Sequence, residues 1–200
     1  MYRPTPSKIV LIGASTGGPG VIEKLISGVM GDYPYPICIV QHFPSGLSSS
    51  FASRLQNCTS NRVVESSDRL LLEGGMIVVA QGGSHLTFAA DGGEGRLAVR
   101  HLEGDRGQRH DFIPSVDDMF FSAAALWPGQ SILAILLTGI GDDGVEGMVR
   151  IASKGGVTVC QDEKSSPVFG MPARAIEKGA AGYILAPEEI IRMMDEFACT

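Results

Sequence analysis

The sequence lacks most of the signals that would assign it a familiar role at a glance. Its four cysteines, Cys38, Cys58, Cys160 and Cys199, are far apart and form no C-x-x-C pair. That spacing implies neither a metal site nor a disulfide framework. Cys38 and Cys160 stand in apolar, strand-like runs, as small buried hydrophobes do, and a reducing cytoplasm is the expected compartment. There is no run of lysine or arginine, and the formal net charge is −6, so a nucleic-acid partner is not expected. No apolar stretch is long enough to cross a membrane. Met1 to Ser7 is a polar leader without the apolar region of a signal peptide. Neither a P-loop ending in Gly-Lys-Ser/Thr nor a G-x-G-x-x-G fingerprint occurs, which weakens a phosphate-binding reading, and a nucleotide-binding enzyme is the runner-up from bare pattern. No cofactor or metal is expected.

What remains is ordinary globular composition: 44% hydrophobic and 19% charged over 200 residues, enough for one domain with a full core. Short β-branched runs alternate with helix-spaced segments through most of the chain. Strands are predicted over residues 8–12, 37–40, 62–65, 76–80, 131–137, 157–160 and 182–185. Helices are predicted over 21–29, 47–55, 116–126, 145–152, 172–178 and 187–197. Residues 84–88 and 96–101 flank an Asp-Gly-Gly turn and read as a short antiparallel excursion. The fold expected is α/β: a doubly wound, mostly parallel sheet with helices on both faces, Rossmann-like in three layers.

The chain is organised around Lys8 to Gly20, KIVLIGASTGGPG, a strand, a tight glycine turn and a helix. Gly13-Ala14-Ser15-Thr16-Gly17 fits the G-x-S-x-G elbow, in which a sharp turn pushes a serine hydroxyl out at the carboxyl edge of a sheet. The helix that follows offers free N–H groups. On this stretch alone, a serine nucleophile and an anion cradle are equally good readings. His42 follows the second strand, and Asp142 and Asp143 follow the strongest strand, at 131–137. Parallel strands bring all three ends to one edge, where open α/β sheets bind ligands. Histidine can take the serine proton near neutral pH, and a carboxylate on the other ring nitrogen fixes its tautomer. Taken singly, His42 reads as a surface or capping histidine, and one of the two aspartates as the cap of the helix at Val145. His85 and His110 read as rim residues or local hydrogen-bonders.

Five ordered blocks carry a resemblance: Gly-Ala-Ser-Thr-Gly-Gly at 13–18, Val-Gln-His at 40–42, Pro-Ser-Val-Asp at 114–117, Leu-Thr-Gly-Ile-Gly-Asp-Asp-Gly at 137–144 and Val-Phe-Gly-Met-Pro at 168–172. Together they resemble the catalytic domain of the CheB family, the protein-glutamate methylesterases of bacterial chemotaxis. The resemblance covers residues 8–198 and implies a triad of Ser15, His42 and Asp143. It also implies oxyanion donors at the Thr16 and Ile140 backbone N–H groups, and a cleft bordered by Gly17, Gly18, Phe43, His110 and Met171. The implied substrate is a methyl-accepting chemotaxis receptor, hydrolysed at glutamyl γ-methyl esters, with deamidation of receptor glutamines as a second activity. The family usually has methionine where Ile140 stands, and many members carry a receiver domain for which residues 1–7 leave no room. A non-catalytic binding module and a small-molecule serine esterase are the competing functions on the same fold. The oligomeric state is left open.

Overall fold

The computed structural model describes residues 6–44, 46–91, 96–103 and 112–200. Seven strands form one parallel sheet: β1 (Ile9–Ala14), β2 (Ile37–Gln41), β3 (Arg62–Glu65), β4 (Met76–Val79), β7 (Ile132–Leu136), β8 (Val157–Gln161) and β9 (Tyr183–Leu185). Their order is β3-β4-β2-β1-β7-β8-β9. The antiparallel excursion is a separate ribbon of β5 (Ser84–Asp91) and β6 (Arg96–Glu103). The described residues also form six α-helices: α1 (Gly18–Gly28), α2 (Ser48–Gln56), α3 (Val116–Leu126), α4 (Val145–Ser153), α5 (Met171–Glu177) and α6 (Pro187–Cys199).

β1 is buried along its whole length, so its side chains serve two cores by alternation. Val10 and Ile12 face one layer with Ile22, Leu25 and Phe51 of α1 and α2 and Ile190 and Met194 of α6. Ile9 and Leu11 face the other with Val116 and Phe120 of α3, Met148 of α4, Ala175 of α5, and Leu86 and Val99 of the ribbon. Burial pushes the Cys160 thiol up to about 12 and raises that of Cys38 as well. Both behave as core hydrophobes.

The strand order explains why the site lies where it does. From β1 the chain builds outward through β2 on one side, and it later returns to lay β7 on the other side. The β1–β7 pair is therefore the switch point, where the following segments diverge to opposite faces and leave a crevice. Glycine brings α3 into that crevice. A Cβ on Gly144, which has φ +96°, would stand 2.7 Å from Val116 Cγ1, and one on Gly13 would also overlap Val116. The first residue of α3 thus sits against both loop ends.

α3 also packs closely on α4. A Cβ on Gly147 would lie 2.5 Å from Phe120 Cβ, an atom too near the backbone to rotate away. Gly147→Ala is therefore expected to destabilise the fold by about 1–3 kcal/mol, despite alanine's better helix propensity. A urea midpoint unchanged or raised would contradict this packing.

Candidate active site

Ser15 leaves β1 in a turn closed by its own backbone. Its N–H donates to Thr138 O at 3.0 Å, and its carbonyl accepts from Gly18 N–H at 2.9 Å. Gln41 Nε2 also donates to that carbonyl at 2.8 Å. Gly17 turns the chain with φ +82°. α1 then begins with no capping side chain and no acidic residue in its first turn, so the positive end of its dipole is not neutralised locally.

His42 and Asp143 meet from β2 and the loop after β7. His42 Nε2 is 2.7 Å from Asp143 Oδ2, and the two side chains are only 6% and 11% exposed. The carboxylate accepts three further bonds. Val116 N–H reaches Oδ2 at 2.7 Å, while Asp117 N–H and the Ser115 hydroxyl reach Oδ1 at 2.9 and 2.8 Å. Burial alone would raise the pKa of Asp143. The bonds from His42, Asp117 and Val116, with the His42 charge, outweigh it and leave the group below its ordinary value. An ionised carboxylate only accepts, so Nε2 carries the proton. The opposite ring nitrogen, Nδ1, is buried and has no hydrogen-bond partner among the described residues. In the neutral imidazole it is a free base. The Asp143 contribution to stability is present at neutral pH and is lost as pH falls through its depressed pKa.

Asp143 does cap a helix, but not the expected one. The N-cap of α4 is Gly144, with no side-chain cap; the Asp142 carbonyl accepts Val145 N–H there. The Asp143 carboxylate instead binds the first N–H groups of α3, whose N-cap is Ser115. Asp142 lines a cleft of about 360 Å³ with Asp117, Glu146, Arg174 and Lys178.

The Ser15 turn and the turn after β7 also approach one another. A Cβ on Gly139 would lie 2.7 Å from Ser15 Cβ, so the 138–141 turn rests directly on the serine. Thr16 and Ile140 are both exposed. Thr138 Oγ1 reaches the Thr16 carbonyl at 2.8 Å, and Gln161 Oε1 receives Thr138 N–H at 3.0 Å. Buried glutamines at the ends of β2 and β8 thereby brace the two sides of the site.

The remaining expected cleft residues behave differently. Met171 is fully buried; its sulfur fills the space beneath Gly139, so it supports the turn and is no rim residue. Gly18 is buried too, and its missing Cβ makes room for Gln41 Oε1. Phe43 turns from the site to pack edge-on against Phe51 at 5.0 Å. Gly17 lies against Pro167. His110 falls outside the described residues. His85 is buried under α3, where its Nδ1 lies 3.2 Å from Ser115 N and 2.9 Å from Asp118 Oδ2. One nitrogen cannot accept from the first while donating to the second, so a given tautomer makes only one of these two hydrogen bonds. Phe112, which the polar segment before Pro114 hid, stacks on the His42 ring with centroids 4.2 Å apart.

A serine at a strand-to-helix turn, a caged His–Asp pair and an overlying glycine turn are thus assembled at one switch point. The family model for CheB methylesterase matches residues 10–194. The chain belongs to the CheB methylesterase family. Its relatives include a protein-glutamate methylesterase/protein-glutamine glutaminase of Rhodospirillum rubrum, 36% identical over 184 residues, which are 91% of this chain and 48% of the relative. One from Carboxydothermus hydrogenoformans is 40% identical over 183 residues, 92% of this chain and 51% of the relative. The chain therefore spans about half the length of the curated relatives it matches. The crystal structure of the Thermotoga maritima CheB methylesterase catalytic domain superposes with a TM-score of 0.89 at 33% identity, covering 95% of this chain and 98% of that one. The doubly wound fold with its antiparallel ribbon is that of the CheB catalytic domain.

Asp117 supplies a pH signature beside the site. Its carboxylate accepts Gly147 N–H at 2.7 Å. Burial pushes its pKa up to about 6, with that bond opposing and the Asp143 charge adding. Between its ordinary value and about 6, the native state holds a proton that the unfolded chain has released, so stability falls as pH rises through that window. Asp117→Asn keeps the acceptor and removes the charge. Relative to wild type it is expected to gain on the order of 2 kcal/mol between about pH 4 and pH 8. Denaturation curves at the two pH values check this, and a constant difference between the proteins would contradict it.

Proposed function

We propose that this chain is a serine hydrolase that removes methyl groups from glutamyl γ-methyl esters of methyl-accepting chemotaxis receptors, releasing methanol, and that it also deamidates receptor glutamines. The observation that carries the reading is the His42–Asp143 pair, caged by the start of α3 with Nδ1 left free, at the end of the strand paired with the one that ends in Ser15, on which the Gly139 turn rests. The naming of the relatives as methylesterase/glutaminase supports the substrate class.

Ser15 Oγ attacks the ester carbonyl while His42 Nδ1 takes its proton. The tetrahedral oxyanion is held by Thr16 and Ile140 N–H; losing one such donor typically costs about 2.7–4 kcal/mol of transition-state stabilisation. The imidazolium, steadied by Asp143, returns the proton to the departing methoxide, and methanol leaves a glutamyl acyl-enzyme. Water activated by the same nitrogen cleaves the acyl bond to give glutamate and free Ser15. With a glutamine substrate the leaving group is ammonia. Residues 8–198 form the catalytic unit, preceded by the 1–7 leader, and it works in the cytoplasm on the receptor's cytoplasmic helices. No helix among the described residues is long and apolar enough to cross a membrane.

The test is methanol release from a radiomethylated receptor preparation. Wild type is expected to release it, and Ser15→Ala to lose it by on the order of 10⁴-fold or more. A folded wild type that releases none from several receptors, and whose Ser15 is not labelled by a fluorophosphonate, would point to a fold kept for binding. Labelling without receptor turnover would point to a small-molecule esterase.

A further inference from the structure

Among the described residues the imidazole of His42 has a single hydrogen bond, on its Nε2 edge; Nδ1 has none. One bond fixes a direction but leaves the ring free to swing about that axis. A flat surface against the ring face removes this freedom. Phe112 supplies it: the two rings lie 6° from parallel with centroids 4.2 Å apart, too close for water between them. The same phenyl ring reaches the oxyanion side, since a Cβ on Gly141 would stand 3.8 Å from Phe112 Cε2. Three residues further on, Ser115 donates to Asp143 and caps α3. One short segment therefore touches the base, the acid and the turn that carries Ile140.

We propose that Phe112 is a positioning residue, whose ring holds His42 in the plane where Nε2–H meets Asp143 and Nδ1 faces Ser15. Its effect on rate rests on the esterase reading, whereas its effect on ring orientation does not. Phe112→Leu keeps an apolar side chain and removes the flat face; Phe112→Tyr and Phe112→Trp keep a flat face.

The test uses the whole chain without receptor. Long-range ¹⁵N spectra report the His42 tautomer, and fluorophosphonate labelling reports the reactivity of Ser15. Wild type and the tyrosine variant are expected to show one neutral tautomer, protonated at Nε2, and equal labelling rates. The leucine variant is expected to show mixed or broadened ring signals and labelling slower on the order of 10–100-fold, with unchanged circular dichroism. The tryptophan variant serves as the second flat ring should tyrosine fail to fold. A folded leucine variant with the wild-type tautomer and labelling rate would overturn the proposal. Neither readout uses a receptor, so failure of the receptor reading shows only in methanol release and is told apart from failure here.

Discussion

The site depends on one carboxylate held at the start of one helix. Asp143 is largely removed from water, and a bare charge there would protonate instead of orienting a base. Two backbone N–H groups of α3, the Ser115 hydroxyl and His42 keep it ionised. Those donors can reach it only because Gly13 and Gly144 let Val116 sit against the ends of β1 and of the loop after β7. The glycine pattern, the close α3–α4 packing and the protonation state of His42 are thus parts of one arrangement. Its electrostatic result is an imidazole with a fixed tautomer and a free Nδ1.

The other half of the site is built on the same economy of space. Gly139 has no Cβ because Ser15 occupies that position from one side and Met171 from the other. Gln41 and Gln161, buried at the ends of β2 and β8, hold the Ser15 carbonyl and Thr138 N–H. The Thr138 hydroxyl in turn ties the serine loop to the loop after β8, donating to the Thr16 carbonyl and accepting from Val168 N–H. Buried polar side chains with this many partners rigidify the edge of the sheet. That rigidity suits an oxyanion site, whose donors must be in place before charge develops.

Most of this fold is legible in the sequence, because each element carries its own period. Arg62–Glu65 and Val116–Leu126 stand as read, and the other elements differ by a few residues at their ends. Ser15, His42 and Asp143 are legible as polar residues just beyond strands that a parallel sheet must align. What escapes is tertiary. Local rules make an aspartate before Gly144 a cap for the helix that follows it, yet Asp143 caps a helix that begins 27 residues earlier. Met171 carries no mark that distinguishes rim from core; only the space beneath Gly139 decides it. Gln41 sits inside a quoted motif, but its role appears only when Gly18 is seen to make room for it. Phe112 is the exception with a local cue: an aromatic residue in a polar segment, just ahead of a helix cap, asks for a partner, which is His42.

In the proposed mechanism Asp143 and α3 orient His42 so that Nδ1, not Nε2, serves Ser15, opposite donors from Thr16 and Ile140. A crystal structure of the chain with Ser15 phosphonylated tests it most directly. The account predicts His42 Nε2 still on Asp143, Nδ1 turned to the Ser15 oxygen, and the phosphonyl oxygen within hydrogen-bond distance of the Thr16 and Ile140 nitrogens. A flipped imidazole with Nε2 on the serine, or a phosphonyl oxygen pointing away from both nitrogens, would contradict it.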